Sequence, residues 1–229
     1  MTKKFRTVLG DAHRALVPNA WSTRSFAQEG EDLVLARHFG NKRDGFYVDV
    51  GSHHPWRFSN TYLFYRRGWS GLCIDPLPGT MRQFQRHRPR DIALEIGISA
   101  EPSTLRYFMF NEPALNTFDP ALASDRDRQA GYAVREIRDV QTQPLRTVLA
   151  RHLPKDRVAI DLLSIDVEGL DLEVLKSNDW DRWRPQTVVV ECLGATVDAL
   201  LEDDTYRYLE ALGYTAHAKT GQSVIFVDR

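Results

Sequence analysis

Short apolar runs alternate along the chain with amphipathic stretches whose apolar positions recur at helical spacing. β-Branched and aromatic residues dominate the short runs, which is typical of buried strands. The predicted strands are Phe46–Val50, Gly71–Asp75, Ile92–Ile98, Thr104–Phe110, Val134–Val140, Ile160–Val167 and Thr187–Cys192. The predicted helices are Ser25–Phe39, a helix that begins at Ser59 or Asn60 and ends at Arg67, Gly79–Arg88, Leu145–Leu153, Leu170–Ser177 and Val197–Leu212. Because strands and helices alternate, we expect a parallel sheet with crossover helices.

The end of the chain has a different pattern. Two strand-like runs, Tyr214–Ala218 and Ser223–Asp228, flank a short turn that contains Gly221, which predicts an antiparallel hairpin. The sequence therefore predicts an α/β fold with a doubly wound, mostly parallel sheet and one reversed edge strand. We expect a single domain over residues 25–229 and an N-terminal arm, short helix or tail over residues 1–24. Residues 111–143 are the least regular part, which predicts a lid or substrate loop.

Composition and charge restrict the partners. The chain has 229 residues, a formal net charge of −1 and 42% hydrophobic residues, as in an ordinary globular protein. This charge gives no reason to expect nucleic acid or an anionic membrane as a partner. Cys73 and Cys192 lie in apolar runs and are expected to be buried free thiols. No apolar segment is long enough to span a membrane, and we expect a cytoplasmic protein; a homodimer is left open.

Acidic residues stand at the ends of four predicted strands, namely Asp49, Asp75, Asp166 and Glu191. In an open α/β sheet these carboxyl ends share one edge, where ligands bind. Asp75 follows Asp49 at the distance of a strand–helix–strand unit, so its carboxylate is placed to accept two hydrogen bonds from a ribose diol. The alternative is that each acid only caps a local turn. Together the four acids predict a site for a polyhydroxylated or cationic ligand.

The turn after the first strand lacks a phosphate-binding pattern. A dinucleotide fingerprint would place glycines at positions 51, 53 and 56, whereas this chain has Gly51, His53 and Trp56. A nucleoside with a positive centre fits acids without an anion-binding loop better than a nucleotide does. S-adenosyl-L-methionine is such a ligand.

The motifs SFAQEGEDL, FYVDVGSHHPWRFSNTYLFYRRGWSGLCIDP, IGIS and LLSIDVEGLDLEVLKS, followed by VVVE, cover roughly residues 25–192. In this order the chain resembles the FkbM family of S-adenosylmethionine-dependent methyltransferases. The resemblance implies a three-layer, Rossmann-like class I methyltransferase fold with a seven-stranded sheet. It also implies O-methylation of hydroxyls on sugars, glycans or natural products. The cofactor-binding residues that it implies are Gln28, Asp49, Gly51, Ser52, Asp75, Pro76, Gly97, Ile98 and Asp166.

Methyl transfer to a hydroxyl requires removal of the hydroxyl proton. One hypothesis makes Asp166 or Glu168 the base, against the alternative that Asp166 holds the ammonium group or caps the next helix. A second hypothesis places a Mg²⁺ ion between Asp166, Glu191 and the substrate oxygen, which the sequence does not decide. His53 and His54 are further candidate bases, although packing roles also fit them.

Two rival functions stay open from the sequence, a nicotinamide-dependent Rossmann oxidoreductase and a nucleoside-binding module without activity. The expected partner is a small-molecule or glycan acceptor. Its recognition is expected to involve residues 111–143 and the N-terminal arm.

Overall fold

The computed structural model describes residues 22–155, 159–192 and 196–229. Seven strands form one sheet in the order β3-β2-β1-β7-β8-β10-β9. Their bounds are β1 Phe46–Val50, β2 Ser70–Ile74, β3 Ile92–Leu94, β7 Leu162–Ile165, β8 Thr187–Glu191, β9 Tyr214–Lys219 and β10 Ser223–Asp228. Strands β3, β2, β1, β7 and β8 are parallel, whereas β10 is antiparallel to both of its neighbours. The predicted sheet and C-terminal hairpin are thus confirmed, except that the reversed strand β10 lies one place inside the edge.

Helices cover both faces of the sheet and make three layers. The helices among these residues are α1 Glu31–His38, α2 Tyr62–Arg66, α3 Thr80–His87, α4 Pro120–Asp127, α5 Leu145–His152, α6 Asp171–Lys176 and α7 Asp204–Ala211. Helices α1, α2 and α3 pack on the face that carries Tyr47 of β1. Helices α5, α6 and α7 pack on the opposite face, which carries Val48. All five residues of β1 are buried because both faces are covered.

A second, three-stranded sheet is formed by residues that lie between β3 and α5 in the sequence. It has the order β4-β6-β5, with β4 Gly97–Ile98, β5 Ser103–Phe110 and β6 Val134–Gln143. We call residues 97–143 the insert. The single predicted strand Ile92–Ile98 is therefore wrong, since its two halves belong to different sheets.

Residues 111–143 are also more regular than the predicted lid or substrate loop. They contain a 3₁₀ turn at Pro113–Leu115, helix α4 and the ten residues of β6. Most of the β6 side chains are exposed, so the strand carries little apolar pattern. The predicted strands Thr104–Phe110 and Val134–Val140 are nevertheless confirmed as β5 and β6, and the backbone ladder between them orders this segment.

Two predicted helices begin later than expected. Helix α1 starts at Glu31 because the Asp32 carboxylate accepts hydrogen bonds from the Ser25 hydroxyl at 2.6 Å and the Phe26 amide at 2.7 Å, which holds the preceding residues in a loop. The predicted helix Val197–Leu212 is divided at Asp203, whose carboxylate caps α7.

The N-terminal arm predicted over residues 1–24 lies outside the described residues, apart from its last three. None of the helices in the described ranges is long and apolar enough to cross a membrane.

Candidate functional site

A cleft with an empty volume of about 750 Å³, part of it open to solvent, lies at the carboxyl ends of β1, β2 and β7. Its floor is formed by the residues that follow these strands, namely Val50, Gly51, Ile74, Asp75, Pro76, Asp166, Val167 and Glu168. Its roof comes from the insert, with Tyr107, Pro113, Ala114, Asn116 and Phe118. Its place at the carboxyl ends of parallel strands is where open α/β sheets bind ligands.

Gly51 lets two strand ends meet at the centre of the floor. Its φ is +82°, and a Cβ at this position would lie 1.7 Å from the carbonyl oxygen of Asp166. The amides of Gly51 and Ser52 both donate to the Ile74 carbonyl, at 2.9 and 3.1 Å. The glycine is therefore required by the backbone of the neighbouring strand end, which brings Asp166 beside the turn.

Asp75 lies at the end of β2, as predicted, and is buried in the floor. Its carboxylate accepts hydrogen bonds from the amides of His53 and Leu77, each at 2.8 Å. Burial raises the pKa of Asp75 to about 6, although both amides act to lower it. The group is ionised at neutral pH, and its oxygens keep lone pairs for hydroxyl donors.

Three carboxylates cluster at the β7 side of the cleft. Asp166, Glu168 and Glu191 each offer an oxygen, and the three oxygens lie within 4.8 Å of one another. Burial, and then the charge of Glu168, raise the pKa of Asp166 well above its usual range. Burial, and then the charge of Asp166, raise the pKa of Glu191 to about 10. Such closely spaced acids favour shared protons, a cationic ligand or a metal ion.

Glu168 differs from the other two carboxylates because it has a cationic partner. Its carboxylate forms an ion pair with Arg126 of α4, and its carbonyl accepts a hydrogen bond from the Thr117 hydroxyl at 2.7 Å. Its backbone is left-handed, with φ +57°. The contacts tie the insert to the loop after β7.

The acidic floor fits the positive centres of S-adenosylmethionine. A sulfonium and an ammonium group both gain from nearby carboxylates that have few cationic partners of their own. The same three acids have the oxygen ligands that Mg²⁺ prefers. The Mg²⁺ hypothesis stays a prediction.

Seven of the predicted site residues line the cleft: Gln28, Gly51, Asp75, Pro76, Ile98, Asp166 and Glu168. Gln28 is fixed by the C-terminal hairpin, since its Nε2 donates to Oε1 of Gln222 at 2.8 Å. Glu29 holds the same turn by accepting from the Gln222 amide at 2.7 Å. The C-terminal hairpin thus positions Gln28, which precedes β1 in the sequence.

Three predicted cofactor-binding residues, Asp49, Ser52 and Gly97, are absent from the lining of the cleft as described. The Asp49 side chain accepts from the Thr61 hydroxyl on the other side of the sheet, because strand residues alternate and Asp49 shares the face of Tyr47. The Ser52 hydroxyl donates to the Ile74 carbonyl at 3.3 Å. Gly97 packs against Phe118, and a Cβ added at position 97 would overlap that ring.

The two candidate histidine bases differ in their surroundings. His54 Nδ1 accepts from the amides of Trp56 and Arg57, at 3.3 and 3.1 Å, so this residue holds the turn. His53 lines the cleft with φ +46°, and burial lowers its pKa to about 4. A neutral imidazole with so low a pKa is a weak base at neutral pH.

The cleft also contains residues that sequence reasoning missed. Phe58 lines it from the loop after β1, and Tyr107, Asn116 and Phe118 line it from the insert. Asn116 and Phe118 lie in the segment 111–143 that was predicted as a lid or substrate loop, but no motif singled out either residue, and Tyr107 lies outside that segment.

A comparison with protein families matches residues 49–216 to the methyltransferase FkbM domain. Among curated proteins, the chain is 34% identical over 134 residues to the methyltransferase sdnD of Sordaria araneosa. That alignment covers 48% of this chain and 52% of the relative, so the chain spans about half the length of the curated relative that it matches.

Two solved structures that the chain matches are distant from it in sequence. A TehB-like SAM-dependent methyltransferase from Corynebacterium glutamicum has 10% identity and a TM-score of 0.40, with 100% of both chains covered. The O-methyltransferase TomG from Streptomyces achromogenes, in complex with SAM, has 11% identity and a TM-score of 0.46, with 100% of this chain and 92% of the other covered. Likenesses this distant say nothing about a substrate.

Proposed function

The chain belongs to the FkbM methyltransferase family, whose methyl donor is S-adenosyl-L-methionine, and from this premise we propose that it methylates a hydroxyl oxygen of a sugar, glycan or natural-product small molecule. The observation that supports a hydroxyl acceptor is the carboxylate cluster of Asp166, Glu168 and Glu191, of which Asp166 and Glu168 line the cleft. A hydroxyl is a poor nucleophile until its proton is removed, and carboxylates are suitable proton acceptors.

The floor of the cleft would hold the donor through three kinds of group. Asp75 accepts hydrogen bonds from the ribose hydroxyls, and the acids after β7 complement the ammonium and sulfonium charges. Pro76, Ile96 and Ile98 offer apolar surface to the adenine ring of the donor. When bound, the donor supplies the methyl carbon, whose bond to sulfur breaks as its bond to the acceptor oxygen forms.

We assign the role of base to Asp166. Glu168 is engaged by Arg126, whereas the strongest influences on Asp166 are burial and other carboxylates. The acceptor proton would pass to the Asp166 carboxylate, and bound cationic donor would keep that carboxylate ionised by opposing the pKa increase. The prediction that Glu168 is the base is retained as the alternative.

The test compares Asp166→Asn and Glu168→Gln in single-turnover methyl transfer from labelled donor to a panel of hydroxyl, amine and thiol acceptors. We expect Asp166→Asn to lower the rate about 10²- to 10⁴-fold, the usual size of general-base catalysis, and Glu168→Gln to lower it less. Affinity for S-adenosylhomocysteine, measured by calorimetry, should stay within a few-fold of the parent protein.

The exposed substitution Asp181→Asn is the matched control, and its rate should be unchanged. Near-normal rates for both acid variants would remove the carboxylate base, and transfer only to amines or thiols would overturn O-methylation. Stabilisation by NAD(H) alone, and not by S-adenosylhomocysteine, would favour the nicotinamide alternative. The expectations of a cytoplasmic location and of no nucleic-acid or membrane partner stay predictions, and a homodimer stays open.

A further inference from the structure

The roof of the cleft contains a buried polar pair among apolar neighbours. Tyr107 of β5 and Asn116, which follows the 3₁₀ turn, are 5% and 6% exposed, and both line the cleft. The other roof residues are Pro113, Ala114 and Phe118. A buried phenol and a buried amide require hydrogen-bond partners, because a buried polar group without a partner loses the hydrogen bonds that it makes to water in the unfolded chain.

Asn116 has one satisfied and one unsatisfied end. Its Oδ1 accepts from the Phe110 amide at 2.7 Å, which fixes the side chain and leaves the Nδ2 group directed elsewhere. Within the described ranges, the buried Nδ2 has no hydrogen-bond partner. Its polar neighbour is Tyr107, since the Asn116 side chain acts to lower the pKa of that phenol.

Tyr107 faces the ionised floor across the cleft. Burial raises the pKa of its hydroxyl, and the charges of Asp75 and then Glu168 act in the same direction. The ring is held by Phe118, at 4.7 Å between ring centroids. The phenol therefore stays protonated, and it lines the same cleft as Asp75, the carboxylate that the ribose diol is expected to bind.

The chemistry of the two sides is complementary. Asp75 offers only acceptors, so each ribose hydroxyl that donates to it still has oxygen lone pairs to satisfy. Tyr107 and Asn116 offer donors from above. We propose that Tyr107, supported by Asn116, is a specificity-determining residue that hydrogen-bonds the ribose of the methyl donor from the roof while Asp75 accepts from the same diol below.

Calorimetry with S-adenosylhomocysteine and its 2′-deoxy and 3′-deoxy analogues tests the contact, in the parent protein and in Tyr107→Phe. One neutral hydrogen bond corresponds to about three- to tenfold in affinity, so Tyr107→Phe should bind S-adenosylhomocysteine that much more weakly. The variant should also lose part of the parent's preference for S-adenosylhomocysteine over at least one deoxy analogue. Tyr132→Phe, an exposed tyrosine of the same insert, is the matched control and should change neither value.

Two results would overturn the proposal. One is an affinity of Tyr107→Phe for S-adenosylhomocysteine within twofold of the parent, and the other is an equal loss for all three ligands, as a structural defect would give. The comparison of the three ligands within the variant remains decisive even if the melting temperature of the variant falls, because a loss of stability lowers the affinity for all three ligands alike. The inference rests on the donor of the proposed function but needs no acceptor, so failure of O-methylation would leave these affinities unchanged. Absence of any binding by the parent protein would overturn both.

Discussion

Gly51 is the single residue on which the geometry of the floor depends most. A methyl group at this position would overlap the Asp166 carbonyl, and the left-handed backbone would be strained as well. We expect Gly51→Ala to lower the free energy of unfolding by about 3 kcal/mol or more, since backbone atoms cannot move aside cheaply. Denaturant unfolding, followed by circular dichroism, measures the loss.

Gly131 provides the matched control for this substitution. It also has a positive φ, +96°, but a Cβ there would meet nothing within 4 Å. Gly131→Ala should therefore lose only the conformational part, about 1–2 kcal/mol. Equal losses for the two variants would mean that the close approach of Asp166 has no energetic weight.

The residue types in the sequence predicted which chemical groups lie at the site better than they predicted where those groups point. Asp75 and Asp166 follow the ends of their strands, where any side chain lies near the ligand edge, and both line the cleft. Asp49 lies inside β1, where the alternation of faces decides its direction, and it faces Thr61. The sequence shows which strand an acid ends, but the pleat and the neighbouring helices determine where it points.

At the scale of elements, the central sheet and the two long strands of the insert, β5 and β6, could be predicted, whereas the pairing of those two strands and their place over the cleft could not. The buried strands are continuous apolar runs, and the hairpin carries a turn signal, so β1, β2, β7, β8 and the C-terminal pair were found with small errors at their ends. Strand β6 is mostly exposed and owes its order to a partner distant in sequence. The roof residues were missed for the same reason, because their place over the cleft depends on that pairing.

Helix α4 and the loop after β7 are joined by the ion pair of Arg126 and Glu168. Both side chains are largely shielded, at 11% and 16% exposure, and Arg126 also donates to the Leu115 carbonyl at 2.9 Å. A double-mutant cycle with Arg126→Gln and Glu168→Gln should give a coupling free energy of at least about 1 kcal/mol, because either single change leaves a shielded group without its partner. Urea unfolding of the four proteins measures it.

Asp125 of the same helix and Arg128, the residue that follows its last turn, provide the control for this cycle. Arg128 and Asp125 form an ion pair whose side chains are 71% and 63% exposed. Their coupling should be about 0.5 kcal/mol or less, as is usual for solvated pairs. Similar values for both pairs would show that Arg126 does not anchor the insert to the loop after β7.

For the whole molecule, the buried acids link folding and donor binding to pH in opposite ways. Burial raises the pKa of Asp75 and of Asp171 to about 6, whereas in the unfolded chain both titrate near 4. Between these values the folded protein binds more protons than the unfolded chain does, so the free energy of unfolding falls as pH rises from about 4 to 6. Burial lowers the pKa of His53 to about 4 and also lowers the pKa of His38 and His54, and these three groups oppose the trend. The acids whose pKa burial raises are more numerous, namely Asp49, Asp75, Asp166, Glu168, Asp171 and Glu191.

We therefore expect the ligand-free protein to be more stable to urea at pH 5 than at pH 7.5. Asp75→Asn should reduce this difference in the free energy of unfolding by about 1–3 kcal/mol. Glu202→Gln, at an exposed position, is the control and should leave the difference unchanged. Affinity for S-adenosylhomocysteine should fall as the pH drops below about 6, because protonated Asp75 can no longer accept hydrogen bonds from two hydroxyls. Stability and affinity that rise together with pH would mean that Asp75 is not the shared group. If stability falls and affinity rises with pH, and both changes are smaller in Asp75→Asn, the same buried carboxylate controls both. Its burial then destabilises the ligand-free protein and also places the carboxylate where it can bind the diol.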